Sequence, residues 1–140
     1  MIVLDTNVIS EVFRSAPNER VVAWLEACTD EVSITAVTLA ELLAGLERLP
    51  DGRRKAELTA RVDAAIEPFR GTRSILAFDD ASAAHYARVL LAREAAGRPI
   101  STADAQIAAI CLAHSATCAT RNVKDFAHTG VDLLDPWRVL

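Results

Sequence analysis

Four acidic residues lie where an α/β chain places active-site groups, at the end of a strand or near the start of a helix. They are Asp5, Glu41, Asp104 and Asp125, each embedded among apolar or small residues. Two like charges about 4 Å apart repel by roughly 4 kcal/mol at an effective dielectric constant near 20. Carboxylates gathered at one crevice therefore need compensation, and a hard divalent cation is its usual source. We expect these carboxylates to hold Mg²⁺ or Mn²⁺.

Short apolar stretches alternate with amphipathic segments and predict the elements that position these acids. The predicted strands are residues 2–4, 32–35, 74–77, 117–120 and 131–134. The predicted helices are residues 6–13, a second helix capped by Asn18, and residues 37–49, 53–69, 80–96 and 101–114. This alternation is typical of an α/β chain with a parallel sheet flanked by helices. We expect a single domain over residues 1–140.

The composition limits the class of protein. The chain has 140 residues, of which 51% are hydrophobic and 24% charged, so it can bury a core without disulfides. No stretch approaches the roughly 18 apolar residues of a membrane span, and no secretory signal is visible. We therefore expect a cytoplasmic protein without a membrane partner. Cys28, Cys111 and Cys118 form no C-x-x-C pair, which favours reduced, buried thiols.

The charge distribution leaves nucleic acid open as a partner. The net charge of −4 has the wrong sign for a nucleic-acid binder. However, 13 of the 15 basic residues are Arg. The guanidinium group of Arg binds phosphate through a bidentate fork, which Lys cannot do. The net charge therefore argues only weakly against nucleic acid.

Two interpretations stay open for Asp5. It directly follows the first predicted strand, and ligand sites in parallel sheets gather at the carboxyl ends of the strands. Asp is also a good N-cap for a helix, and a helix is predicted to begin at Thr6.

Glu41 lies on the predicted helix over residues 37–49, away from the apolar stripe of that helix. The stripe consists of Leu39, Leu42, Leu46 and Leu49. One interpretation is a solvated side chain paired with Arg48. Gly45, one turn further on, costs a helix about 1 kcal/mol and indicates that something approaches closely there. This second observation favours a functional role for Glu41.

Asp104 and Asp125 are placed by their neighbours along the chain. Ser101 and Asp104 have the spacing of a capping box, and Asp104 shares a helix face with apolar residues. An inward-facing acid must be satisfied by a cap, a cation or both. Asp125 follows a predicted strand in a loop, where it is either the cap of a turn or part of a site. Thr120 and Asn122 add groups that could hold a water molecule or a phosphate oxygen.

Four blocks of sequence together resemble PIN-domain nucleases, and most of all the VapC-type toxins of bacterial toxin–antitoxin pairs. The blocks are Val3-Leu4-Asp5-Thr6-Asn7, Thr38-x-x-Glu41-x-x-x-Gly45, residues 104–109 and residues 120–126. They occur in the order and at the spacing of that family, across essentially the whole chain. The first block alone would be weak evidence for this resemblance, whereas the four blocks together are specific to the family.

The resemblance implies a three-layer α/β/α sandwich with a central parallel sheet and an endoribonuclease activity that depends on Mg²⁺ or Mn²⁺. Asp5, Glu41 and Asp104 match the three acids of the family's metal site, and Asp125 matches a more variable fourth acid that acts through water. The supporting polar positions match Thr6, Asn7, Thr120 and Asn122. The resemblance also implies a homodimer, silenced by a small antitoxin whose C-terminal segment covers the acidic groove.

Three basic residues are candidates for contacts with the RNA backbone, namely Arg121, Lys124 and Arg98. Each of them taken alone is also typical of a solvated surface position. The hydrolysis expected from such a site is attack of a water molecule on an RNA phosphodiester in line with the leaving oxygen, which leaves 5′-phosphate and 3′-hydroxyl ends.

Other functions fit the residues less well. A phosphatase of the haloacid-dehalogenase type needs a second Asp two positions after the first, where this chain has Asn7. A receiver-like phospho-acceptor domain needs paired acids beside the first strand. The main alternative is a catalytically silent α/β module that binds RNA or a protein, which the presence of four acids disfavours.

Overall fold

The computed structural model describes residues 1–72 and 74–139, and this part of the chain contains five strands and seven helices. The strands are β1 (Ile2–Leu4), β2 (Val32–Thr35), β3 (Ile75–Leu76), β4 (Thr117–Ala119) and β5 (Asp132–Leu134). The helices are α1 (Thr6–Val12), α2 (Glu19–Ala27), α3 (Ala36–Glu47), α4 (Arg53–Gly71), α5 (Asp80–Ala95), α6 (Thr102–Ala113) and α7 (Val123–Phe126). The predicted strands and helices are confirmed, with small differences at their ends. The prediction of a loop around Asp125 is wrong, because α7 forms there.

The five strands form one parallel sheet in the order β3-β2-β1-β4-β5. The chain runs outward from the central β1 in one direction through β2 and β3, and later in the other through β4 and β5. The order therefore reverses beside β1, where Ile2 pairs with both Val32 and Thr117. In sheets of this kind, the crevice beyond the carboxyl ends of the strands at the reversal is the usual place for a site.

Alternation along β1 supplies both faces of the sheet with apolar side chains. Ile2 and Leu4 belong to a cluster with residues of α1, α2, α3 and α4, including Val8, Val21 and Ile66. Val3 belongs to a second cluster. The other members of the second cluster come from α5, α6, α7, β4 and the residue before β4: Val89, Ala105, Ile107, Ala108, Cys111, Ala116, Cys118 and Phe126. The predicted three-layer α/β/α sandwich is thus confirmed.

Polar caps fix where the helices begin. The Asn18 side chain accepts hydrogen bonds from the backbone of Arg20 and Val21, and the Ser101 hydroxyl accepts one from Asp104 N–H. Such caps satisfy backbone donors that lack a partner in the first turn. The cap at Ser101 sets the start of α6, and with it the position of Asp104.

The cysteines of the described residues are free, and Cys111 and Cys118 are buried while Cys28 is half-buried. A hydrogen bond with Cys111 and burial both raise the pKa of the Cys118 thiol. The prediction of reduced, buried thiols is confirmed for this pair. Among the described residues, we find no helix with the length and hydropathy that a membrane span requires.

Candidate metal centre

Asp5 stands at the carboxyl end of β1, and its backbone N–H donates to Ala119 O at 2.9 Å. Its side chain is 5% exposed. One carboxylate oxygen accepts from Thr6 N–H at 2.8 Å, and the other accepts from the Thr120 hydroxyl at 2.8 Å and the Asn7 amide at 3.1 Å. Asp5 is thus the N-cap of α1 and also lies in the crevice of the sheet. The predicted N-cap is confirmed, and the position of Asp5 at the strand end leaves its role in a ligand site as a prediction.

Thr120 and Asn7 connect the end of β4 to the start of α1. The Thr120 hydroxyl accepts from Asn122 N–H at 3.0 Å, and the Asn7 side-chain oxygen accepts from Arg121 N–H at 3.2 Å. Because Thr120 is buried and donates its hydrogen to Asp5, it orients this carboxylate. Asn122 stands at the N-cap position of α7 with an exposed side chain.

Glu41 reaches the same crevice from the middle of α3. One of its carboxylate oxygens accepts from the Thr6 hydroxyl at 2.8 Å. The Thr6 hydroxyl also lies 3.2 Å from the hydroxyl of Thr38, whose side chain is fully buried. Among the described residues, the ion pairs do not include one between Glu41 and Arg48. Thr38 was not predicted as part of the site, although its position one turn before Glu41 is the signal that could have found it.

Gly45 lies in open space, since a Cβ atom built on it meets nothing within 4 Å. No described part of this chain therefore approaches Gly45 closely, and the close approach of a bound molecule stays a prediction. Gly45 instead lines a groove of about 580 Å³ that begins at Thr6 and Glu41. Because glycine has no side chain, the space beside its Cα atom is part of this groove.

Asp104 occupies the third position of α6, and its N–H donates to the capping Ser101 hydroxyl at 3.2 Å. The residues that follow on the inner side of α6, including Ile107 and Ala108, are fully buried. Asp104 is itself half-buried. The capping-box spacing and the inward-facing position are both confirmed.

The pKa shifts of two of these acids have a common cause. Burial raises the pKa of Asp5 to about 6, hydrogen bonds from Thr120 and Thr6 oppose the rise, and the charges of Asp104 and Glu41 add to it. Burial also raises the pKa of Asp104. Hydrogen bonding with Ser101 opposes that second rise, whereas the charges of Asp125 and Glu41 add to it. The charge of Asp104 therefore interacts with those of Asp5, Glu41 and Asp125, and the charge of Asp5 also interacts with that of Glu41.

Two of the basic candidates, Arg121 and Lys124, line a groove together with Asp125. Arg121, Lys124 and Arg98 are exposed, and the Arg121 guanidinium lies 5.0 Å from the centre of the Trp137 ring. Trp137 was not predicted, because a single aromatic residue gives no indication that it belongs to a site. Arg93 was also missed. It lies on the buried side of α5 and donates to backbone carbonyl groups at the end of α7.

The donor set fits a hard divalent cation. The donor atoms are the carboxylate oxygens of Asp5, Glu41, Asp104 and Asp125. These carboxylates remain available to a cation, because none of the ion pairs among the described residues involves them. Within residues 1–72 and 74–139, no three acidic, His or Cys side chains already surround one point. Mg²⁺ usually keeps several waters and binds through one or two carboxylates. A cation bound directly by one or two of the acids, and through water by the others, is consistent with this spacing.

Without metal, the free energy of unfolding should fall as pH rises from about 4 to about 6. Asp5 has a pKa of about 6 when folded against an ordinary value of 3.8, so the folded state holds more protons than the unfolded chain in this window. A shift of about two units corresponds to at most about 3 kcal/mol. Urea unfolding in EDTA at several pH values measures the slope.

The control for this pH dependence is Asp5→Asn, which cannot ionise at this position. The slope between pH 4 and 6 should be shallower in Asp5→Asn than in the unaltered protein. Groups distant from the site titrate equally in both proteins, so the difference between the two curves reports Asp5 together with its effect on Asp104 and Glu41. Equal slopes would show that the burial of Asp5 has no such consequence.

Comparison with known proteins identifies the family. Residues 2–131 match the PIN domain. The chain is 44% identical to toxin FitB of Neisseria gonorrhoeae over 98% of this chain and 99% of that protein. It is 37% identical to VapC ribonuclease Y4jK of Sinorhizobium fredii over 98% of both chains. The crystal structure of FitAcB from Neisseria gonorrhoeae superposes with a TM-score of 0.90 at 42% identity, covering 99% of this chain and 100% of the other. This chain belongs to the PIN-domain family.

Proposed function

We propose that this protein is a divalent-metal-dependent endoribonuclease and the toxin of a toxin–antitoxin pair. The proposal is carried by the convergence of Asp5, Glu41 and Asp104 on one crevice: Thr6 bonds to both Asp5 and Glu41, the charges of these three acids act on one another, and none of them forms an ion pair among the described residues. The relatives named as a toxin and as a VapC ribonuclease support it. We also propose a cytoplasmic location, the compartment in which the proposed RNA substrate is made and used.

We infer that Asp5, Asp104 and Glu41 hold the metal and that Asp125 acts through water. The bound cation would supply Lewis-acid stabilisation of the phosphate and a more acidic water molecule. The residues of the chain itself orient the carboxylates that would hold the metal. Thr6 N–H, Thr120 and Asn7 hold the Asp5 carboxylate. The Thr6 hydroxyl holds Glu41.

The reaction is hydrolysis of an RNA phosphodiester. The oxygen of a water molecule forms a bond to phosphorus while the bond between phosphorus and the 3′ oxygen breaks. The leaving oxygen takes up a proton and becomes the 3′-hydroxyl, and the phosphate stays on the 5′ end. These ends distinguish the reaction from attack by the RNA's own 2′-hydroxyl, which gives a 2′,3′-cyclic phosphate and needs no metal.

Removing one acid should strongly reduce cleavage and abolish stabilisation by metal. Asp104→Asn should lower the cleavage rate at least about a hundredfold, roughly 3 kcal/mol, because a carboxylate ligand is lost. Mn²⁺ should raise the melting temperature of the unaltered protein but not of Asp104→Asn, since a ligand stabilises the state that binds it. The measurements are sequencing of RNA ends with and without EDTA, and thermal unfolding.

The matched control for this experiment is Asp63→Asn, the same chemical change at an exposed position of α4. It should cleave RNA and respond to Mn²⁺ like the unaltered protein. Cleavage by a fully folded Asp104→Asn at a rate near that of the unaltered protein would refute the mechanism. Cyclic phosphate ends would also refute it, and RNA binding without any metal-dependent cutting would favour the silent binding module.

Contacts with the RNA backbone are proposed for Arg121 and Lys124. A groove of about 500 Å³ beside Asp125 is lined by both residues. Arg138, which also lines this groove, has its Nε 3.6 Å from Asp135. Arg121 lies over Trp137 and is tied through its backbone to Asn7, next to Asp5. Arg121 and Lys124 thus share a groove with Asp125, whereas Arg98 lies in the turn before α6 and does not line this groove.

Loss of either basic side chain, Arg121 or Lys124, should reduce the salt dependence of RNA binding. Each phosphate contact contributes about −0.7 to the slope of log affinity against log salt for single-stranded RNA. Arg121→Gln and Lys124→Gln, each in the Asp104→Asn background to prevent cutting, should lower the magnitude of the slope by about this amount. Fluorescence anisotropy at several salt concentrations measures it. Arg88→Gln, at an exposed position of α5, is the control, and equal slopes in all variants would contradict these contacts.

The antitoxin is proposed to occupy the groove of about 580 Å³ that begins at Glu41. Its lining includes the apolar side chains of Phe13, Leu42, Leu46, Leu49, Leu58 and Val62 and the charged side chains of Arg14, Arg54, Glu57 and Arg61. Mixed apolar and charged surfaces of this kind suit a protein segment. A segment seated there would cover Glu41 and exclude RNA. We also infer a homodimer, for which Leu91, 68% exposed, is an available apolar contact.

A charge placed in this groove should release the antitoxin without removing cleavage. Leu58→Glu puts a carboxylate on the apolar lining, and Ala60→Glu adds the same charge to an exposed position of α4 outside this groove. Co-purification with the small protein encoded immediately upstream should fail for Leu58→Glu and succeed for Ala60→Glu. Both proteins should still cut RNA in Mn²⁺. Retention of the partner by Leu58→Glu, or the lack of such a reading frame, would contradict this assignment.

A further inference from the structure

Arg93 is a buried cation whose partners are backbone groups. It lies near the end of α5 and is 5% exposed, on the same side of the helix as the buried residues Ser82 and Val89. Among the described residues, no ion pair includes it. A buried charge is costly unless its hydrogen-bond donors are satisfied. The position of its acceptors therefore indicates what Arg93 holds in place.

The guanidinium donates to carbonyl oxygens of two separate segments. Its Nε donates to Arg98 O at 2.6 Å, in the turn between α5 and α6. Its Nη1 donates to Asp125 O and Ala127 O, both at 2.8 Å, and to Lys124 O at 3.3 Å. The last carbonyl oxygens of a helix find no N–H donor within the helix itself. Arg93 supplies donors to those at the end of α7.

A helix as short as α7 needs such help, because four residues form too few internal hydrogen bonds to offset the entropy of nucleation. Phe126 anchors the segment by its buried side chain, and Arg93 fixes its backbone. Of the two segments that Arg93 joins, one leads into α6 and Asp104, and the other carries Asp125. The segment that precedes Asp104 and the segment that carries Asp125 are therefore both hydrogen-bonded to this guanidinium.

We propose that Arg93 is a positioning residue that holds the Asp125 segment against the segment leading to Asp104, and that it supports cleavage through Asp125. The proposal rests on the ribonuclease activity proposed above. It requires the planar fork of Arg, because donors must point at carbonyl groups of two segments at once. Lys presents a compact point charge and cannot span both.

A double-mutant cycle tests this role. Arg93→Lys keeps the charge and Arg93→Met keeps much of the bulk, and each should lower kcat about tenfold or more, the usual range for residues that orient a metal site. Combined with Asp125→Asn, either change should give little further loss, because residues that act through one another are not additive. Arg88→Lys and Arg88→Met, at an exposed position of the same helix, are the matched controls.

Hydrogen exchange gives a readout that needs neither metal nor activity. Without metal, the amides of residues 124–128 should exchange about tenfold faster in Arg93→Lys than in the unaltered protein, whereas those of α2 on the opposite face should be unchanged. If the unaltered protein cuts no RNA, the proposed function fails while this measurement still decides whether Arg93 holds α7.

Several results would overturn the proposal. These are unchanged exchange at residues 124–128, full kcat in Arg93→Lys, and additive losses with Asp125→Asn. If Arg93→Met fails to fold, Arg93→Lys decides the question. Unfolding of both variants would assign Arg93 to the stability of the whole fold and would also overturn its specific role at the site.

Discussion

The gathering of like-charged carboxylates around Asp5 is the interaction on which the rest of the site depends. Burial and the charges of Asp104 and Glu41 raise the pKa of Asp5, and hydrogen bonds from Thr120 and Thr6 hold it down. Thr120 can donate to Asp5 only because β4 lies beside β1 in parallel register, with Leu4 opposite Ala119. The sheet topology is therefore a condition for ionising Asp5.

Much of the fold could be predicted because its signals are local. The apolar run at residues 2–4 indicates a buried strand, and the caps at Asn18 and Ser101 mark where helices begin. Once the sheet is taken as parallel, an acid directly after β1 must lie at its carboxyl edge. The placement of Asp5 and Asp104 thus follows from positions along the chain, without knowledge of any long-range contact.

Other parts of the site could not be predicted because long-range contacts determine them. The four residues of α7 have no periodic pattern, and their helix depends on Arg93, which lies 30 residues earlier in the chain than Val123. Gly45 indicated a close approach, and the groove that it lines is formed by elements distant in sequence, so the residues around it could not be read from the chain. The contact of Arg121 with Trp137 joins residues on either side of β5, and spacing gives no sign of it.

The capping and catalytic interpretations of these acids are compatible, and their magnitudes indicate what each can explain. A carboxylate at the N-terminus of a helix gains about 0.3–1 kcal/mol from the helix dipole. The pKa of Asp5 remains about 6 even with its cap and its hydrogen bonds in place, which corresponds to about 3 kcal/mol against ionisation. A further hydrogen bond of about 1 kcal/mol would not remove this penalty. The divalent cation proposed above would offset this penalty, because its charge is opposite to that of Asp5 and of the neighbouring carboxylates.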